Sequence, residues 1–379
     1  MIEILHLATG FGRGGAELNL ARLAANMDAS KFSNTVVSMR RRYDALMVQR
    51  LTKAGVRFRC LEMRAGVPDP ISVVHLLQIV REVRPQVLQT WMYHADLLGL
   101  IVGKLARVPV ILWNVRSTLL NNRGIAKLVF RALVPLSSFP AAVVANSQAG
   151  VRAHQQFGYK AQRWIWIPNS LDLDQFTPKT EARLWLRREL RVRSNAFLIG
   201  LVARFDPMKD HANFIRAAGI LAADYPNVNF VLVGPTLDPD NAVLTSELRA
   251  AGVENRFHLL GLRDDVYRIT AAFDIACSSS AYGEGMSNSI AEAMASGVPC
   301  VVTDVGDSAL MVGDTGKVVP PRDPQAFANA CRELMALPLR CRRALGVSAR
   351  RRVDENLSIP SVVARYQELY ESFVATLRS

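Results

Sequence analysis

Long apolar runs are missing from this 379-residue chain. The two nearest candidates, Leu97–Gly103 and Leu133–Ala145, fall short of the ~20 residues a membrane-spanning helix needs. Pro135 and Pro140 also interrupt the second of them. Cysteine is scarce: five residues (Cys60, Cys277, Cys300, Cys331, Cys341), none in a CxxC pair or at metal-ligand spacing from a histidine. That excludes a disulfide framework or a zinc ribbon and points to reduced thiols and the cytoplasm. Cys277 and Cys300 read as small buried hydrophobes. Met1–Leu7 runs straight into a strand pattern, so no signal peptide is expected. No low-complexity tract breaks the chain, which argues against disorder.

Acidic residues are the remaining shortage, and it is local. Residues 1–170 hold 22 Lys and Arg against 8 Asp and Glu, net +14, whereas 171–379 hold 24 against 25, net −1. The whole basic excess therefore lies in the first half. A one-sided positive field suits an anionic partner: a nucleic acid, an anionic membrane surface or a phosphorylated substrate. A solvated basic surface kept for solubility is the plainer alternative.

Short β-branched or apolar runs alternate with amphipathic stretches along the whole length. Strands are predicted at Ile2–Ala8, Asn34–Met39, Val87–Thr90, Val110–Trp113 and Ala142–Asn146. After the turn-rich Ile167–Asp172 they recur at Phe197–Val202, Asn229–Val233, Phe257–Leu259, Ile275–Cys277 and Pro299–Thr303. Helical patterns fill the gaps, including Ala16–Asn26, Ala95–Ala106, Ile125–Pro135, His211–Tyr225 and Met286–Ala295, while Lys179–Arg193 reads as a charged connector. Strands joined by helical crossovers build parallel, doubly wound α/β sheets. We expect one such domain over 1–170 and a second over 171–358, facing each other across a cleft. A last amphipathic helix over 359–379, with Tyr366, Leu369, Tyr370 and Phe373 on one stripe, should close over the domains.

Two clusters carry chemistry. In Tyr282-Gly-Glu-Gly-Met-Ser-Asn-Ser-Ile-Ala-Glu292, Glu284 sits between Gly283 and Gly285, and Glu292 follows two helical turns later. If Gly285, Met286 and Ser287 begin the helix, their free N–H groups suit an anion, while the carboxylates suit sugar hydroxyls. A capped helix with two surface glutamates leaves the glycine bracket unexplained. In Val202-Ala-Arg204-Phe-Asp-Pro-Met-Lys209, directly after a strand, Arg204 and Lys209 supply two cations for a pyrophosphate. Taken alone, a pair of solvated bases explains that loop equally well.

With Gly14-Gly15-Ala16-Glu17 near the start, these motifs resemble the retaining GT-B glycosyltransferases of family 4, and the resemblance spans essentially the whole chain. It implies the GT-B fold, two Rossmann-like domains, with an acceptor held by the first and a nucleotide sugar of UDP or GDP type by the second. It implies that Arg204 and Lys209 hold the donor diphosphate. Glu284 with the amides of Gly285, Met286 and Ser287 would hold the transferred sugar, Glu292 the ribose, and Leu262 or Arg263 the base. Gly14 and Gly15 would approach the donor phosphate, with Glu17 anchoring the helix start. His94, in Thr90-Trp-Met-Tyr-His94, would meet the sugar near the reacting carbon, with Asn146, Ser147 and Asn169 as cleft-lining groups. Ser170 stands where the family usually has glycine. The implied reaction is transfer of a hexose-type sugar with retention, to a glycan or lipid-diphosphate-linked acceptor in cell-surface polysaccharide or glycolipid assembly.

No cofactor and no metal are expected. Asp238-Pro-Asp240 has DxD spacing, and Asp304 and Asp307 share a loop, but Arg204 and Lys209 already supply positive charge and the aspartates read as loop caps. Arg123, Lys127 and Arg131 recur every four residues beside apolar positions, a pattern suited to a helix lying on an anionic membrane from the cytoplasmic side and equally to a surface helix packed on its own sheet. Three other readings remain. Gly10-x-Gly12-x-x-Gly15 after a strand matches a dinucleotide fingerprint, and Arg40-Arg41-Arg42 after the next strand would suit NADP, so an oxidoreductase is one. It leaves both clusters without work, and under the resemblance the arginine run becomes a surface patch for an acceptor instead. A GT-B epimerase or phosphorylase is another. A nucleic-acid binder would use the charge, but no aromatic residues interleave with the basic runs and no recognised module is present.

Overall fold

In the computed structural model, residues 1–12, 14–41, 43–63, 70–118 and 125–377 are described. Arg13 of the N-terminal loop, Arg42 of the arginine run and Arg123 of the basic helix pattern lie outside them. The chain forms two units, residues 1–170 with 359–379 and residues 171–358.

Among the described residues the first unit carries seven strands: β1 Ile2–Ala8, β2 Phe32–Arg40, β3 Arg57–Met63, β4 Val87–Trp91, β5 Val110–Val115, β6 Ala142–Ala145 and β7 Trp164–Trp166. They pair in the order β3-β2-β1-β4-β5-β6-β7, all parallel. Period-2 alternation splits β1 between two cores: Ile4 and Ala8 pack on one face, Leu5 and Leu7 on the other. Burial of both faces explains the nearly continuous apolar runs of the central strands. The final helix, Ile359–Thr376, belongs to this unit. Val362, Val363, Tyr366, Leu369, Tyr370 and Val374 enter the core beside Ile4 and Val36.

The second unit holds β8 Phe197–Val202, β9 Val228–Val233, β10 Phe257–Leu259, β11 Ile275–Ser278, β12 Cys300–Thr303 and β13 Lys317–Val319, in the parallel order β10-β9-β8-β11-β12-β13. Gly200 of β8 has no room for a side chain, because a Cβ there would lie 2.0 Å from the Phe273 ring. Below the sheet, Arg187 is 1% exposed and donates to Asp274 Oδ2 at 2.6 Å and to the Ala196 carbonyl at 2.9 Å. Asp274 Oδ2 also accepts the Leu198 amide at 2.9 Å.

Several elements differ from the sequence expectation. The strands β3, β7 and β13 lie at sheet edges. Solvent covers part of β3, so Arg57, Arg59 and Glu62 replace a continuous apolar run, and the other two are three residues long. The charged connector contains a helix, Thr180–Glu189, that buries Ala182, Leu186 and Arg187. The helix expected from Met286 starts at Asn288, with Ser287 as its N-cap. Among the described residues, no helix is long and apolar enough to cross a membrane.

Candidate functional site

In an open parallel sheet, ligands collect at the carboxyl ends of the strands where the winding reverses. In the second unit that point lies between β8 and β11, and the two sequence clusters follow these two strands. After β8, Asp206 Oδ1 accepts the Met208 amide at 3.0 Å and sets up the turn Pro207–Lys209. Asp210 then takes a left-handed φ of 48° and caps the helix His211–Asp224 through the Asn213 amide at 3.1 Å. Lys209 is held between these two caps.

After β11 the chain is tied back to that turn. Ser279 Oγ donates to the Lys209 and Asp210 carbonyls at 2.8 and 3.1 Å, and the Ala281 amide donates to the Met208 carbonyl at 2.8 Å. These bonds bring Lys209 Nζ onto Glu284 Oε2 as an ion pair between side chains 15% and 9% exposed. Ser280 Oγ donates to the same carboxylate oxygen at 3.0 Å. Thr303 Oγ1, from β12, fixes the Ser280 carbonyl at 2.6 Å. The loop after β12 closes the brace: Gly306 has φ +67°, and a Cβ on it would lie 2.2 Å from the Glu284 carbonyl oxygen. The next amide, Asp307, donates to the Gly285 carbonyl at 2.8 Å.

The other expected residues fall in several places. Arg204 follows β8 but is 58% exposed, with Nε on Asp206 Oδ2 at 2.9 Å. Gly285, Met286 and Ser287 lie in the loop ahead of the helix, so the amides of the first helical turn belong to later residues and Glu284 does not share a helix face with Glu292. Glu292 is half-buried within the helix Asn288–Ala295. After β10, Leu262 is 76% exposed, whereas Arg263 is engaged with Asp265 at 2.8 Å and Glu189 at 2.8 Å. Ser280, Thr303 and Gly306 were missed; the signal in the sequence was a serine run and a Thr-Asp-Val-Gly loop, each directly after a strand.

In the first unit, Gly14 is the N-cap of the helix Gly15–Asn26, and a Cβ on it would lie 2.3 Å from Glu17 Oε2, in the first turn. His94 is half-buried near the start of the helix Tyr93–Leu105. Met92, just before it, has φ +74°, a backbone state rare for a side-chain-bearing residue and often met near functional sites. Burial first, and then the charge of Arg40, push the His94 imidazole below its usual range. Asn146, Ser147 and Asn169 are buried rather than lining an open surface. Ser147 Oγ accepts the Gly150 amide at 3.0 Å as a helix cap, and Asn146 Nδ2 donates to Asn169 at 3.3 Å. Tyr93 and Asp96 are buried too, with Thr90 Oγ1 donating to the Asp96 carboxyl.

Two all-parallel α/β units in one chain, the second bearing a braced acid–base pair at its switch point, define a GT-B glycosyltransferase. The family model "Glycosyltransferase Family 4" matches residues 13–175 and "Glycosyl transferases group 1" matches residues 196–336. EpsF of Bacillus subtilis (strain 168), which carries a glycosyltransferase's name, is 27% identical over 315 residues, 80% of this chain and 79% of its own. The Escherichia coli UDP-Gal:alpha-D-GlcNAc-diphosphoundecaprenol alpha-1,3-galactosyltransferase is 24% identical over 70% of each chain. The Anabaena protein HepE, solved with UDP and glucose, superposes with a TM-score of 0.80 at 24% identity, covering 98% of this chain and 100% of its own. The chain belongs to the group 1, family 4 glycosyltransferases. The oxidoreductase alternative is not favoured.

Proposed function

We propose that the protein transfers a hexose-type sugar from a UDP- or GDP-sugar to a glycan or lipid-diphosphate-linked acceptor, with retention and without a metal ion. The observation that carries this reading is the Lys209–Glu284 contact. It sets a cation for a diphosphate beside a carboxylate for sugar hydroxyls, with Oε2 held by Lys209 and Ser280. Arg204 joins Lys209 on the diphosphate. The loop amides of Gly285, Met286 and Ser287 serve the same donor, Glu292 its ribose and Leu262 its base. Arg263, tied to Asp265 and Glu189, shapes the base subsite more than it contacts it. On the first unit, Gly14 and Gly15 allow close backbone approach to a phosphate, and His94 serves the reacting carbon.

In the reaction, the acceptor oxygen bonds to the anomeric carbon on the face the diphosphate leaves. The carbon–phosphate oxygen bond breaks, and the acceptor proton passes to a departing phosphate oxygen. Arg204 and Lys209 stabilise the charge that develops there, which is the part a metal plays in other transferases. Support for the donor comes from the UDP-bound HepE structure, and for the acceptor from the E. coli relative named for a diphosphoundecaprenol substrate. Cell-surface polysaccharide or glycolipid assembly is the matching setting. The basic first unit, with Lys127 and Arg131 on the helix Ile125–Leu136, would rest on anionic lipid, which sedimentation with anionic and neutral liposomes checks.

The test is a thermal-shift panel of UDP, GDP, ADP and their sugars, followed by turnover of the best donor. Arg204→Ala and Lys209→Ala should each lower kcat by ~10²-fold or more, as loss of a charge-stabilising group does. Near-normal turnover in both variants would refute the phosphate assignment.

A further inference from the structure

Arg40 ends β2, two strands from β4, and both strands point their carboxyl ends the same way beside β1. Its backbone is fixed with unusual care. Ser38 Oγ donates to the Arg40 carbonyl at 2.9 Å and Cys60 Sγ at 3.3 Å. Opposite it, the pairing with β3 slips between Ser38 and Arg40, where Glu62 takes a left-handed φ of 55°. The extra residue lies on β3, so it is this edge strand that bends beside the end of β2. The guanidinium is exposed and makes no hydrogen bond or ion pair among the described residues. Arg41 beside it is exposed as well.

The loop after β1 lies between Arg40 and the β4 end. It is pinned to the β2 side by the Phe11–Tyr43 bridge and by the Asp44 amide donating to the Phe11 carbonyl at 2.8 Å. Behind it, a small pocket is lined by Thr9 and Glu17 among apolar neighbours that include Ala8, Ala16, Leu20 and Trp91. Thr9 Oγ1 is buried, with no hydrogen-bond partner among the described residues. A small, mostly apolar pocket, an imidazole and an exposed guanidinium thus share one end of the first sheet.

We propose that this end of the first unit recognises a diphosphate on the acceptor, with Arg40 as the residue that binds it and His94 beside it at the hydroxyl that attacks. The inference rests on the transfer reading above and adds the residue that selects the acceptor. In a sugar linked to a diphosphate, one ring separates a free hydroxyl from the first phosphate, so two neighbouring side chains can serve both. A planar guanidinium binds two phosphate oxygens at once, which a lysine cannot. Burial first, and the Arg40 charge second, hold the His94 imidazole below its usual range.

The experiment titrates farnesyl diphosphate, and farnesol as the uncharged control, into the full-length protein by calorimetry. Excess UDP is present to fill the donor diphosphate site. Arg40→Ala should weaken farnesyl diphosphate binding about tenfold or more, the loss of one bidentate charge-assisted contact. Arg40→Lys should recover part of it. Arg81→Ala, which removes the same charge at the amino end of the sheet, should stay within about twofold. Equal losses in the two alanine variants, or farnesol binding as tightly as the diphosphate, overturn the assignment. Binding that Arg40→Ala leaves intact removes Arg40 while sparing the diphosphate-acceptor reading. No binding by the wild-type protein removes both.

Discussion

Two glycines with the same backbone angle provide a controlled test of the brace around Glu284. Gly306 and Gly252 both have φ +67°, so replacing either with alanine costs about 1–2 kcal/mol for the left-handed conformation. Around Gly252 a new Cβ meets nothing within 4 Å, whereas at Gly306 it would lie 2.2 Å from the Glu284 carbonyl oxygen and 2.7 Å from that of Gly285. Both obstacles are backbone, so neither can swing aside. Relief requires roughly an ångström of movement in the loop that carries Glu284, and a misplacement of that size can cost ~10²-fold in rate. Gly252→Ala is therefore expected to melt a few degrees lower, at ~2–4 °C per kcal/mol, and to turn over normally. Gly306→Ala should melt lower still and lose about two orders of magnitude in kcat. The assay is donor turnover and thermal melting of both variants side by side. If Gly306→Ala keeps a rate close to that of Gly252→Ala, the β12 loop does not position Glu284 and the brace has no catalytic meaning.

Arg187→Ala leaves the buried Asp274 with only the part-exposed Arg183 as counter-charge, so urea unfolding should show a loss of about 3 kcal/mol. A loss below about 1 kcal/mol would mean water or Arg183 compensates fully. Burial pushes the Asp96 carboxyl up to about 7, against the pull of Thr90 and the Asn114 amide. Its folded pKa exceeds the unfolded value of about 4, so its contribution is present below pH ~4 and is lost as pH rises through 7. Asp96→Asn should therefore gain stability over the wild type at pH 8, with the advantage fading towards pH 5; melting curves that stay parallel across this range contradict it. His6, His154 and His211 have the opposite sign. Burial lowers each to about 4, so their contribution is present above pH ~6.5 and is lost as pH falls towards 4. Loss of melting temperature below pH 6 checks this, and a flat profile from pH 7 to 4 opposes it.

The two clusters after β8 and β11 were readable before any coordinates because each is a local pattern: glycines around a glutamate, and two cations just past an apolar run. Their meeting also followed from the order of elements, since a doubly wound sheet places the first and fourth strands of a unit side by side. The edge strands β3, β7 and β13 were not readable, because half-solvated or three-residue strands carry no clear period. The helix Thr180–Glu189 was hidden for a related reason. Its buried face includes Arg187, a charge made tolerable inside only by Asp274, 87 residues away.

From its sequence alone this protein already shows two parallel α/β halves, the uneven distribution of charge between them and the two clusters that follow β8 and β11, because each rests on short-range periodicity or composition. Tertiary structure decided where the last helix returns and that Glu284 meets Lys209 through one oxygen. It also decided that Ser280, Thr303 and Gly306 hold that carboxylate in place. Those facts depend on contacts between segments tens to hundreds of residues apart, which packing creates and no local pattern encodes.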